Sequence, residues 1–166
     1  MTERRHPKFI GLCHIGMHAS DPQALAEFYQ DVMGMQLVGS SDETSPTGRS
    51  AYLSSRPHEE SHEIAIFENP AFAHTAFKVD SLSELRAFYH DIVDQDILVK
   101  FQLNHGASLA FYFDDPEGNV VEIYWSTGLA YGQPYAHDID LTLPEESLRQ
   151  DVSALASRVG AEWPAS

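Results

Sequence analysis

At 166 residues, 43% apolar and 11% aromatic, the chain has the size of one globular domain and can bury a core of useful size. A formal charge of -15 repels phosphate backbones and argues against a nucleic-acid partner. No apolar run approaches the roughly 18 residues of a membrane span, the opening MTERRHPKF lacks a signal peptide's apolar region, and the lone Cys13 cannot form an internal disulfide. A cytoplasmic protein with no membrane partner is therefore expected.

Residues 1–8 are predicted to be a flexible polar arm. The run FIGLCHIGM, from Phe9 to Met17, is apolar with His14 inside it and predicts a strand. ASDPQALAEFYQDVMGM follows: Asp21 can cap a helix whose first turn holds Pro22, and Gly34 stands where that helix would stop. Leu25, Phe28, Val32 and Met33 supply its apolar face at spacings of three and four. QLVGS, SAYLSS and HEIAIFE then predict three strands joined by turn-rich segments. The unit is βαβββ, over about residues 9–69.

The pattern returns 60 positions later: His14 falls on His74, Leu25 on Leu85, Phe28 on Phe88, Tyr29 on Tyr89 and Tyr52 on Tyr112. A second βαβββ unit is predicted over 72–126, giving one domain over 9–126, and such duplication constrains architecture more tightly than local propensity. It closes on HGASLAFYFDDPEGNVVEIYW, two apolar strands around an Asp/Pro/Gly/Asn turn. Residues 127–166 leave the repeat as an irregular aromatic extension with a helix at about 144–159, begun by Pro144 and stopped by Gly160. The extension reads as a packing or dimer-contact appendage in preference to a substrate lid.

Glu122 sits between Val121 and Ile123, where a carboxylate needs a compensating partner, and a metal ion is one such partner. Of the nine histidines, His14 and His74 are matched by the repeat. If the two units pack as a pseudo-twofold pair, both imidazoles face one cavity with Glu122. Two imidazoles and one carboxylate with open positions describe a catalytic transition-metal site, often for non-haem Fe(II), although Mn(II) satisfies the same donors. A fourth ligand depends on register. Adding 60 to His62 reaches Glu122, but sliding by three aligns Ile64-Ala65-Ile66 with Val121-Glu122-Ile123, apolar on apolar. The second alignment is preferred and leaves three protein ligands. Cys13 is expected on the strand face opposite His14. His6, His18, His58, His90 and His137 are expected to have no role at the site. Phe111 and Tyr124 are expected to bind substrate, within an apolar wall that draws also on Phe9, Met17, Phe101 and the aromatic stretch Tyr131 to Tyr135.

The paired βαβββ units, with HIGM in the first, AHTAF in the second and YFDDPEGNVVE at the end, resemble the vicinal oxygen chelate superfamily. That group includes glyoxalase I, fosfomycin-resistance proteins, bleomycin-binding proteins and extradiol ring-cleaving dioxygenases. The likeness spans about seven-tenths of the chain. More specific is the spacing of His105, Tyr112, Asp115, Pro116, Gly118 and Glu122, which resembles the signature of the extradiol enzymes; Leu103 departs from it mildly. The resemblance implies an α+β fold in which two βαβββ modules form a curved sheet around a metal cavity, with a C-terminal helix appended. It implies that His14, His74 and Glu122 are Fe(II) ligands, that His62 is the acid–base catalyst, and that His105 and Tyr112 hydrogen-bond the substrate's chelating oxygens. The implied activity is cleavage of a catechol beside its diol with O2, yielding a yellow semialdehyde. The implied assembly is a homodimer or higher homo-oligomer. Alternatives within the fold are a glyoxalase-like lyase or isomerase, a fosfomycin-type metal-dependent transferase, and a metal-free drug-binding protein of the bleomycin-resistance type.

Overall fold

The computed structural model of the protein describes residues 7–159; His6, Gly160 and most of the predicted arm lie outside the described residues. The first half consists of β1 (Phe9–His18), α1 (Pro22–Met33), β2 (Gln36–Ser41), β3 (Ser50–Ser54) and β4 (Ile64–Phe67). After a single 3-10 turn the second half repeats the order as β5 (His74–Val79), α2 (Leu82–Val93), β6 (Val99–Asn104), β7 (Ser108–Asp114) and β8 (Val120–Ser126). A short β9 (His137–Asp138) and α3 (Glu145–Val159) follow. All the strands form one mixed sheet in the order β2-β3-β4-β1-β5-β8-β7-β6-β9. It curls into a half-barrel, so the fold is α+β.

The two halves meet where β1 runs antiparallel to β5, and each half places its last strand parallel to its first, β4 on β1 and β8 on β5. That arrangement is a pseudo-twofold. The helices pack on the outer face of the curve. Asp21 accepts from the Ala24 amide at 3.2 Å to start α1, and Gly34 ends it at φ 68°. Ser81 does the same for α2 through the Glu84 amide at 3.1 Å. Val79, Leu82, Leu85, Phe111, Ile123, Leu141 and Leu148 form the larger outer core, which α3 completes.

The outer face differs from expectation at α1. Phe28, Val32 and Met33 are 53–65% exposed, and the helix rests instead on Ala26 with Leu25 and Tyr29 beside it. Ala26 and Ala51 share a small core with Met35, Leu53 and Ile66, so the helix rolls its small residue toward the sheet and leaves the larger ones outward.

Three residues expected to wall a substrate pocket lie on this outer side. Phe111 is fully buried, with Phe88 and Tyr89 at ring distances of 5.9 and 5.7 Å. Phe9 packs on Phe77 and Phe88, and Met17 joins the core under α1. The reason is strand alternation: Phe111 and Met17 stand an odd number of residues from Tyr112 and His14, which face the other way. Phe111→Ala is therefore expected to act on stability alone, at about 3–5 kcal/mol. For a chain of this size that lowers Tm by roughly 10 °C, with metal content unchanged; calorimetry and metal analysis check both.

Candidate metal centre

The concave face is organised by two transverse rows of residues. One runs His14 (β1), Ala76 (β5), Glu122 (β8), Tyr112 (β7) and Phe101 (β6), each the pairing partner of the next. The other runs His74 (β5), Gly16 (β1), Ala65 (β4), Tyr52 (β3) and Gly39 (β2). The rows are images of each other under the pseudo-twofold. Ala65 thus stands where the second half carries Glu122, and the alignment shifted by three is the one the fold adopts.

Because the rows run side by side through the seam between β1 and β5, one starting at His14 and the other at His74, these two and Glu122 converge there. One donor atom from each lies within 4.8 Å of the others, a group that could hold a metal ion. Small residues make the room. Ala76 is flanked by His14 and Glu122, and a Cβ on Gly16 would come within 2.5 Å of the His74 ring. The Gly of HIGM leaves the room that the His74 imidazole occupies beside β1.

The donor chemistry fits a cation. His74 Nδ1 lies 2.7 Å from the Phe72 carbonyl, which can only accept, so Nδ1 carries the hydrogen and Nε2 presents a lone pair. That Nε2 is buried without a hydrogen-bond partner, although it stands 3.2 Å from Glu122 Oε2. The same oxygen lies 3.0 Å from His14 Nε2. Lone pairs facing a buried carboxylate repel unless a proton or a metal ion stands between them. Burial favours the neutral form of Glu122, yet the charge and hydrogen bonds of His14 and His74 outweigh it and hold its carboxyl well below the ordinary range. For His74, burial favours the neutral ring, but Glu122 and the Phe72 carbonyl prevail and raise its pKa.

Around this cluster stand the other site candidates. His62, in the loop before β4, has its ring 4.4 Å from that of His14 and 5.3 Å from that of Tyr52, with Nδ1 3.2 Å from the Ser61 hydroxyl. Desolvation first, then repulsion from His14, pushes its pKa well below the usual histidine value, so the ring is neutral. On the other flank the Tyr112 hydroxyl lies 2.8 Å from His105 Nε2, and His105 Nδ1 donates to the Tyr135 carbonyl at 2.7 Å. Burial, followed by the charge of Glu122, raises Tyr112 well above an ordinary phenol; burial also lowers His105. Tyr124 shares the concave face, its ring 5.1 Å from His14.

The sequence missed two features here. Lys78 and Glu60 form a 2.6 Å ion pair that also takes the Tyr124 hydroxyl at 3.2 Å, covering one flank of the centre. The signal for Lys78 was its position four residues after His74, on the same strand face. Cys13, expected on the opposite face, instead packs with Ala76, Ala110, Tyr112 and Tyr124. A register shift between Leu12 and His14 breaks the alternation that the expectation assumed. A cavity of about 410 Å³ opens beyond Tyr124, between the loop holding Glu60 and the segment from Gly128 to Gln133. Another of about 410 Å³, beside Gln23 and Asp42, contains none of the site residues. Among the described residues no helix is long and apolar enough to cross a membrane.

Two βαβββ halves sharing one curved sheet, with a cluster at the seam that could hold a metal ion, define a class that the comparison with known proteins identifies. The chain belongs to the Glyoxalase/Bleomycin resistance protein/Dioxygenase superfamily, whose family model matches residues 11–123. Among curated proteins it is 26% identical to biphenyl-2,3-diol 1,2-dioxygenase 3 of Rhodococcus globerulus over 147 residues, covering 76% of this chain and 73% of that one. In fold it is similar to a catechol 2,3-dioxygenase, with a TM-score of 0.62, 21% identity, and coverage of 83% of this chain and 50% of that one. It is also similar to a Mn(II)-bound glyoxalase from Novosphingobium aromaticivorans, with a TM-score of 0.58, 19% identity, and coverage of 80% and 43%. The chain thus spans half or less of these two solved structures.

Proposed function

We propose that this protein is an Fe(II)-dependent extradiol dioxygenase that opens the ring of a catechol-type substrate with O2, with His14, His74 and Glu122 as the metal ligands. Mn(II) would satisfy the same three donors. The observation that carries the reading is the asymmetry between the two rows. One half supplies Glu122 and the other only Ala65, which leaves three protein donors flanked by a neutral His62 on one side and the His105–Tyr112 pair on the other. The relative named for biphenyl-2,3-diol supports a vicinal aromatic diol as the substrate class.

When bound, the metal would supply Lewis acidity that makes a catechol hydroxyl easier to ionise, held by His14, His74 and Glu122. The chain's own residues do the rest. Tyr112 holds a substrate hydroxyl by hydrogen bonding, and its raised pKa keeps the phenol protonated throughout. His62, neutral and with Nδ1 turned to Ser61, can take a proton at Nε2 and return it during cleavage. Tyr52, Phe67 and Tyr124 screen the centre from bulk water.

Anaerobic reconstitution with Fe(II), followed by air and a panel of catechols, tests the reading. Oxygen uptake with a new visible absorbance is expected. Turnover of a thiol adduct or an epoxide phosphonate, with no uptake for any diol, would instead favour a glyoxalase-like or fosfomycin-type activity.

A further inference from the structure

Residues 127–143 repeat nothing in either βαβββ unit, yet they link the two free edges of the half-barrel. At one edge Gln133 bridges to Gly39 on β2; at the other β9 pairs with β6. The approach to β2 is so close that a Cβ on Gly39 would collide with the Gln133 carbonyl. Toward β6 the Gln133 side chain clamps two backbones together. Its Nε2 donates to the His105 carbonyl at 3.0 Å, and its Oε1 accepts from the Tyr135 amide at 3.4 Å.

That clamp holds the Tyr135 carbonyl against His105 Nδ1. A carbonyl only accepts, so Nδ1 keeps the hydrogen and the neutral ring presents a bare Nε2. Tyr112, 2.8 Å away, must then donate its hydroxyl hydrogen to His105. The other acceptor for that hydrogen is Glu122, its partner across β7 and β8, whose oxygen already faces His14 and His74. With its hydrogen committed, the Tyr112 oxygen offers only lone pairs toward the metal centre. In the opposite tautomer His105 would donate to Tyr112, and the phenol would turn its hydrogen toward the site.

We propose that the Gln133–Tyr135 segment is a positioning element that sets His105 in its Nδ1–H form, so that Tyr112 receives substrate as an acceptor from a protonated hydroxyl. The substrate half of this statement rests on the proposed function; the tautomer half does not. It makes the extension part of the site, and it selects a diol that arrives neutral over one that arrives as an anion.

The test is 15N NMR of histidine-labelled full-length protein, metal-free and loaded with diamagnetic Zn(II), with His105 assigned by its loss in His105→Ala. The unaltered protein should show the Nδ1–H form. Gln133→Ala removes the clamp, and Gly39→Ala pushes the segment away from the far edge; both should shift His105 toward the Nε2–H form. In iron-loaded protein both should lower kcat about tenfold, a fraction of the range for a proton-transfer residue, with KM and metal content little changed. An Nε2–H ring in the unaltered protein, or a tautomer that neither variant moves, overturns the proposal. If no catechol is turned over at all, the proposed function fails and the tautomer measurement still decides this one.

Discussion

Glu122→Ala is expected to abolish stable metal binding, lowering affinity by at least about 100-fold, more than the loss of a residue that merely supports a ligand, and with it all ring cleavage. Glu122 is the only anion in a buried group of three donors, and both histidines aim Nε2 at its Oε2, at 3.0 and 3.2 Å. Without it two imidazoles alone must hold a dication in a buried site. The fold should survive, because the pseudo-equivalent position is already an alanine, Ala65, fully buried on β4. Metal at 100 times its dissociation constant stabilises a protein by about 2.7 kcal/mol, so a metal-dependent rise in Tm is expected for the unaltered chain and none for the variant. The pH dependence has a definite sign. Protons and metal compete for His74 Nε2, whose pKa in the metal-free protein is raised, burial opposing and Glu122 prevailing. Metal affinity should therefore fall as pH drops through that raised value, and equilibrium titration at several pH values measures it.

His62→Ala and His105→Ala are expected to keep the metal and lose turnover, by about 10²–10⁴-fold in kcat. Neither residue belongs to the converging donor group. His62 touches the centre only through its ring, 4.4 Å from that of His14, and His105 only through Tyr112. His14 stays in place without His62 because Glu122 and the Tyr124 ring still confine it. Metal analysis beside oxygen-uptake kinetics separates the outcomes. Loss of metal in His62→Ala would make His62 a ligand and would undo the three-donor reading on which the proposed chemistry stands.

How far this centre could be read in advance depended on what kind of information each part needed. The repeat made His14 and His74 visible as a pair, because a duplicated unit places equivalent residues at equivalent points of one sheet. Glu122 was visible because a carboxylate among β-branched and aromatic neighbours has no solvent to face. The register that excludes His62 as the mate of Glu122 followed from aligning apolar strand on apolar strand. Phe111 was misread although alternation with Tyr112 would have corrected it. Cys13 was misread for a different reason: a register shift in β1 overrides the alternation, and a bulge leaves no reliable local signature.

What the sequence determined by itself was local and periodic: strand and helix limits, caps, the repeat that pairs His14 with His74, and the anomalous placing of Glu122 among apolar neighbours. Each rests on neighbours close in the chain or on a translation along it. What only the tertiary structure decided was how side chains from distant segments orient one another. The Lys78–Glu60–Tyr124 network and the Gln133 clamp on His105 join parts of the chain that share no periodicity. Hydrogen-bond direction at Tyr112 likewise depends on a backbone carbonyl of Tyr135, which every residue possesses and no residue type reveals.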